Sequence, residues 1–200
     1  LELGATRAGA GLGVQLITHV INQNAPGAAA EIVARLSDDQ CDGAIMTPPF
    51  SDDPNLLRTL AGLGVKVVCI AGGPAVEQLA MTLGIDDYRA GFDIGAHLVS
   101  QGYRRFGFIK GLQGHASAET RFDGFLAALA DAGADTLAVE WRRGNFTFRS
   151  GLDCAQDLLK GDRTVDALVC ANDDMAAGAL LAAHKAGLRI PEDIAITGFD

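Results

Sequence analysis

Five times along the chain a short apolar run stops at polar side chains that could hold a ligand. Asp86 and Asp87 follow "TLGI", Lys110 and "GLQGHASAETR" follow "FGFI", "RRGNFTF" follows "AVEW", Asn172 and Asp173 follow "ALVCA", and Asp200 follows "AITGF". These residue types suit a polyhydroxylated small molecule. A carboxylate accepts from two neighbouring hydroxyls, an Asn amide both donates and accepts, and an Arg guanidinium offers a planar fork of donors. Phe146 and Phe148 could add an apolar platform for the C–H face of a sugar or for a base. Each residue has a plainer use as well. Asp86, Asp87, Asn172 and Asp173 stand where helices begin, and Asp and Asn there cap free amides. Arg121, early in a helical stretch, could be a solvated surface cation, Phe146 and Phe148 could be core, and His115 a loop residue.

Arrangements for covalent or metal chemistry are absent from the sequence, and the reading is not that of an enzyme. "GAGLG" at residues 9–13 lacks the full G-x-G-x-x-G spacing and precedes an apolar run instead of following one, so it reads as the close of a helix. There is no phosphate-binding loop and no G-x-S-x-G elbow, and His19, His97, His115 and His184 are too scattered to form a metal motif. No catalytic residue, metal or cofactor is therefore assigned. Cys41, Cys69, Cys154 and Cys170 have no C-x-x-C spacing, two of them lie inside apolar runs, and reduced buried thiols are expected. With 25 acidic against 16 basic residues the net charge is -9, which repels a polyanion, so this segment does not itself grip DNA or RNA. No apolar window is long enough to span a bilayer, and no basic-then-apolar leader opens the chain.

The elements that must position these residues follow from periodicity. Short β-rich runs at 14–20, 43–47, 66–70, 80–85, 105–109, 137–141, 167–171 and 194–198 alternate with helical stretches such as "AAAEIVARLSD", "NLLRTLAGLG", "YRAGFDIGAHLVSQG", "ETRFDGFLAALADAG", "RSGLDCAQDLLKG" and "DMAAGALLAAHKAG". Several helices close on Gly. Alternation of this kind predicts parallel strands joined by helical crossovers, and mostly apolar strands predict sheets covered on both faces. In such α/β sheets the ligand crevice lies beyond the carboxyl ends of the strands, where the polar residues collect.

Taken together, "GIDDYRAGFDIGAHLVSQGYRRFGFIKG", "SAETRFDGFLAAL" and "ALVCANDDMAAGALLAAHKAGLRIPEDIAITGFD" resemble the effector-binding core of LacI/GalR-type bacterial transcription regulators, whose fold is similar to that of periplasmic sugar-binding proteins. The match runs over nearly the whole chain and is most specific from residue 84 onward. It implies a type I periplasmic-binding-protein-like fold: two doubly wound, Rossmann-like α/β lobes with the effector in the cleft between them. The division expected is 1–101 for the N-terminal lobe, its first strand missing, and 102–200 for the C-terminal lobe, truncated at the last strand, with the crossing at 101–104. The family's effector contacts fall on Asp87, Arg121, Phe146, Asn172 and Asp200. "GYRR" stands where the family carries a Gly-His pair.

The function implied is that of the ligand-sensing domain of a cytoplasmic, homodimeric repressor that binds a sugar or related small polyol and reaches operator DNA only through a helix-turn-helix headpiece not in this chain. A periplasmic sugar-binding protein of a transport system is the alternative, and a flavodoxin-like enzyme a distant third. Dimerisation is expected through the helix at 174–187, with Ala176, Ala179, Ala183 and Ala186 as its small-residue face, and through a helix at 3–10. The competing use of that alanine face is packing on its own sheet.

Overall fold

The computed structural model describes residues 1–133, 139–160 and 165–200. Two parallel sheets organise them. In the first, β1 (Gly43–Met46), β2 (Lys66–Ile70) and β3 (Met81–Leu83) lie in the order β1-β2-β3, with Gly43 opposite Lys66 and Val68 opposite Met81. In the second, β4 (Phe106–Lys110), β5 (Glu140–Arg143), β6 (Ala167–Cys170) and β7 (Ala195–Thr197) lie in the order β5-β4-β6-β7. All the pairings are parallel. Strands β4 and β6 are buried along their whole length, as the apolar run of β6 and that of β4 up to Ile109 require, while the edge strand β5, "EWRR", alternates. The chain leaves β4 for β5 on one side and then crosses to β6 on the other. The topological switch therefore lies between the carboxyl ends of β4 and β6.

Among the described residues the helices are α1 (Glu2–Leu12), α2 (Ala28–Asp38), α3 (Pro54–Gly62), α4 (Asp87–Ser100), α5 (Ala116–Asp131), α6 (Phe148–Leu158) and α7 (Asp173–Lys185), with a 3-10 turn, Phe50–Asp52, before α3. Their ends follow local chemistry. Asp53 caps α3 by accepting from Asn55 N and Leu56 N, with Pro54 in the first turn, and Asp86 caps α4 by accepting from Arg89 N at 2.9 Å. Gly13, left-handed at φ 69, closes α1.

Four expectations need revision. The run at 14–20 pairs with no strand among the described residues: on its flank toward the free edge of β1 lies a trough of about 990 Å³, and an extended run without a hydrogen-bonded neighbour is not a sheet strand. Helix α4 does not belong with the first sheet. Its Leu98 sits in the core of the second sheet beside Phe106, Phe108 and Phe125, with Ile94 and Val99 packed against them. The strands at 81–83 and 106–110 do lie in different sheets, yet we propose the boundary between lobes at residues 84–86, one helix earlier than 101/102. The alanine face of α7 is internal, because Ala176, Ala179 and Ala183 are buried against the second sheet and only Ala186 is exposed. The run at 137–141 lies partly outside the described residues, and β5 begins at Glu140.

Glycines bring the helices of the second lobe into backbone contact. A Cβ on Gly91 would fall on the Arg121 carbonyl oxygen, and one on Gly124 on that of Tyr88, so α4 and α5 cross where neither has a side chain. Edge-to-face pairs Phe106–Phe125 (5.5 Å) and Phe108–Phe122 (4.8 Å) fill the layer between α5 and β4. All four cysteines are free; Cys69 and Cys170 are buried, and burial pushes the Cys170 thiol up to about 12. Among the described residues no helix is long and apolar enough to cross a membrane.

Candidate ligand-binding site

A pocket of about 320 Å³ opens at the topological switch, walled by Ser117, Ala118, Arg121, Phe146, Ala171, Asn172, Phe199 and Asp200. Arg121 is its centre. The α4–α5 crossing carries Asp87, in the first turn of α4, to the guanidinium, and Asp87 Oδ1 accepts from Nη2 at 2.6 Å and from Nε at 3.2 Å. Nη1 donates to the Ala171 carbonyl at 2.7 Å, and the Phe199 ring lies with its centroid 3.9 Å from Cζ. Both side chains of the ion pair are 11% exposed, so the pair is held tightly and little screened. A guanidinium carries five N–H groups. Three are engaged here, and one on each Nη has no partner among the described residues.

Asn172 serves as a helix cap and also ties down a neighbouring loop. Its Oδ1 accepts from Met175 N at 3.0 Å, capping α7, while its Nδ2 donates to the Phe146 carbonyl at 3.1 Å. That second bond fastens the loop after β5. Phe146 adopts φ 64, left-handed for a bulky residue, and its ring lies so close over Gly111 that no Cβ would fit there. The His115 ring stands 5.0 Å from it. Burial lowers the His115 pKa against the opposing pull of Asp52, and the buried Nε2 has no partner among the described residues. Burial thus favours the neutral imidazole.

Lys110, the last residue of β4, is not among the residues that wall this pocket. It is 7% exposed, paired with Glu119 and 4.2 Å from the Phe122 ring centroid. Arg143 reaches the same carboxylate at 2.8 Å and donates to the Gly111 carbonyl at 3.1 Å. Burial raises the Glu119 carboxyl, but hydrogen bonds from Lys110 and Arg143 outweigh it and hold the group below its ordinary value. This network ties β5 to the start of the β4–α5 loop and to α5.

The family model for periplasmic binding proteins and the sugar binding domain of LacI family matches residues 1–200. The chain belongs to this family. The HTH-type transcriptional repressor PurR of Haemophilus influenzae (strain PittEE) is 32% identical over 183 residues, 89% of this chain and 52% of its own length. The HTH-type transcriptional repressor CytR of Escherichia coli (strain K12) is 38% identical over 126 residues, 63% of this chain and 37% of its own. Among solved structures, a complex of the transcriptional regulator CelR with cellobiose superposes with a TM-score of 0.86 at 28% identity, covering 99% of this chain and 60% of that one. The chain thus spans about half the length of the PurR relative, and these proteins are named as regulators, not enzymes.

Within this LacI-type frame, the structure brings Arg121, Phe146, Asn172 and Asp200 to one pocket. Asp87 is placed differently. It lies behind Arg121, its Oδ1 occupied by two guanidinium bonds, and it is not part of the pocket wall. Phe148 is 44% exposed and takes no part either. Sequence reasoning missed Ser117 and Phe199 as walls. Ser117 was within reach, since it lies one helical turn before Arg121 and so shares its face of α5. Phe199 carried only its place beside Asp200 as a signal.

Proposed function

We propose that this chain is the ligand-sensing part of a cytoplasmic, homodimeric transcription repressor that binds a sugar or related polyol between its lobes. The observation carrying this reading is the immobilised Arg121, with two N–H donors that have no partner among the described residues, beside Asn172 and Asp200. The repressor names of the sequence relatives and the cellobiose complex of the structural neighbour support it over a transport protein. A ligand that binds the closed lobe arrangement better than the open one shifts the population toward closure, and operator affinity follows through a helix-turn-helix headpiece outside this chain.

One observation favours a second ligand class. Asp87 is withdrawn behind Arg121, so the pocket wall holds one carboxylate, Asp200, and two aromatic rings, Phe146 and Phe199. A planar nucleobase or nucleoside would use those faces. A thermal-shift screen against sugars, nucleosides and amino acids separates the two. A ligand at a hundred times its dissociation constant stabilises by about 2.7 kcal/mol. The proposal fails if no compound of either class shifts the midpoint.

A further inference from the structure

One contact between the lobes runs through a carboxylate that no motif singles out. Asp52 ends the 3-10 turn of the first lobe, beside Asp53, which caps the adjoining helix α3. The two neighbours face different ways. Asp52 Oδ1 accepts from Gly73 N at 2.6 Å, in the loop after β2, and Oδ2 accepts from Ala116 N at 3.2 Å, the first residue of α5 in the second lobe. Helix α5 lacks a cap of its own, since His115 makes no side-chain bond at the N-cap position. A Cβ on Gly73 would stand 2.7 Å from the Ala116 Cβ, so the two lobes meet here at backbone distance.

We propose that Asp52 is an interlobe latch that supplies the missing N-cap of α5 across the cleft, so that α5 is capped only while the lobes are closed. Ser117, Ala118 and Arg121 line the pocket from the same end of the same helix. Closure and ligand contact therefore converge on one helix end, and each stabilises the other. A free helix N-terminus has unpaired amides that a carboxylate satisfies well, which gives the latch its strength without any ligand present. The coupling to ligand rests on the sensing function proposed above, whereas the latch itself does not.

Hydrogen–deuterium exchange on the unliganded chain tests it, comparing wild type with Asp52→Ala, Gly73→Ala and Asp53→Ala. In Asp52→Ala the amides of residues 116–119 should exchange roughly tenfold faster or more, as expected for loss of a charge-assisted bond, while β4 and β6 keep their protection. Asp53→Ala should instead speed residues 55–57 and leave 116–119 unchanged. If Asp52→Ala loses protection throughout, Gly73→Ala decides, because it wedges the contact with the carboxylate still in place and should speed 116–119 alone. Wild-type exchange at 116–119 in a folded Asp52→Ala, or in Gly73→Ala, would overturn the latch. An unsuccessful ligand screen would count against the sensing function and leave the exchange result standing.

Discussion

Arg121 illustrates how much a single side chain's surroundings decide. A cation in the first half of a helix gains nothing from the helix dipole, and the sequence allowed it to be a solvated surface residue. Instead one carboxylate, one carbonyl and one ring fix it from three sides. Arg121→Ala should weaken binding of a ligand found by the screen more than tenfold, a loss of about 1.5 to 3 kcal/mol. Arg121→Lys should recover little, because an ammonium cannot bond Asp87, the Ala171 carbonyl and a ligand in one plane. Calorimetric titration reads both, and wild-type affinity in the Ala variant would put the site elsewhere. Glu119 offers a test by pH. Its folded-state pKa is depressed, so its contribution to stability is complete above the ordinary value of 4.5 and is lost as pH falls through the lower folded value. Glu119→Gln should therefore cost stability at pH 7 and less below pH 4.5, with the thermal midpoints of the two proteins converging as pH falls. The effect is modest, since the side chain is 36% exposed.

At the scale of elements, periodicity and glycine stops placed the helices well, and "AAAEIVARLSD" coincides with α2 from end to end. Which sheet a helix joins was not legible. The short connection "GYRR" after α4 looked like a crossing between lobes, whereas α4 is held to the second lobe by its contact with α5. The residues responsible, Gly91, Gly95 and Gly124, read in sequence as mere weak points in a helix, because the partner backbone that needs their missing Cβ is remote in the chain. Gly91→Ala should cost about 1 to 3 kcal/mol or more by forcing α4 off α5, and it should loosen Asp87 from Arg121 as well. Gly4→Ala, in a helix with open space at that position, should stabilise by about 0.5 to 1 kcal/mol. Urea unfolding of both variants checks the contrast. Equal effects at the two glycines would mean that the crossing is not close-packed.

At the scale of the whole molecule, the alternation of strands and helices made a crevice at the carboxyl ends foreseeable, but a surface for self-association could not be told from helix composition. Small residues on one face of α7 suit close approach equally well to another copy or to the chain's own sheet, and burial of Ala176, Ala179 and Ala183 gives that face to the chain's own core. Proposed dimer contacts must then come from the outward side, where Leu180 and Leu181 remain 39% and 37% exposed, and from α1, which buries none of its residues and leaves Leu3 64% exposed. A stable interface covers about 800 Å² on each partner, more than the outer stripe of one helix can offer, so both helices are required. A charge introduced on either would be desolvated in the dimer and harmless in the monomer. Leu181→Glu and Leu3→Glu should each weaken dimerisation at least about tenfold in sedimentation velocity at micromolar concentration, with unchanged unfolding midpoints once the variants are monomeric. A dimer insensitive to both substitutions would exclude α1 and α7 as its contact surface, and a wild-type monomer would exclude the dimer.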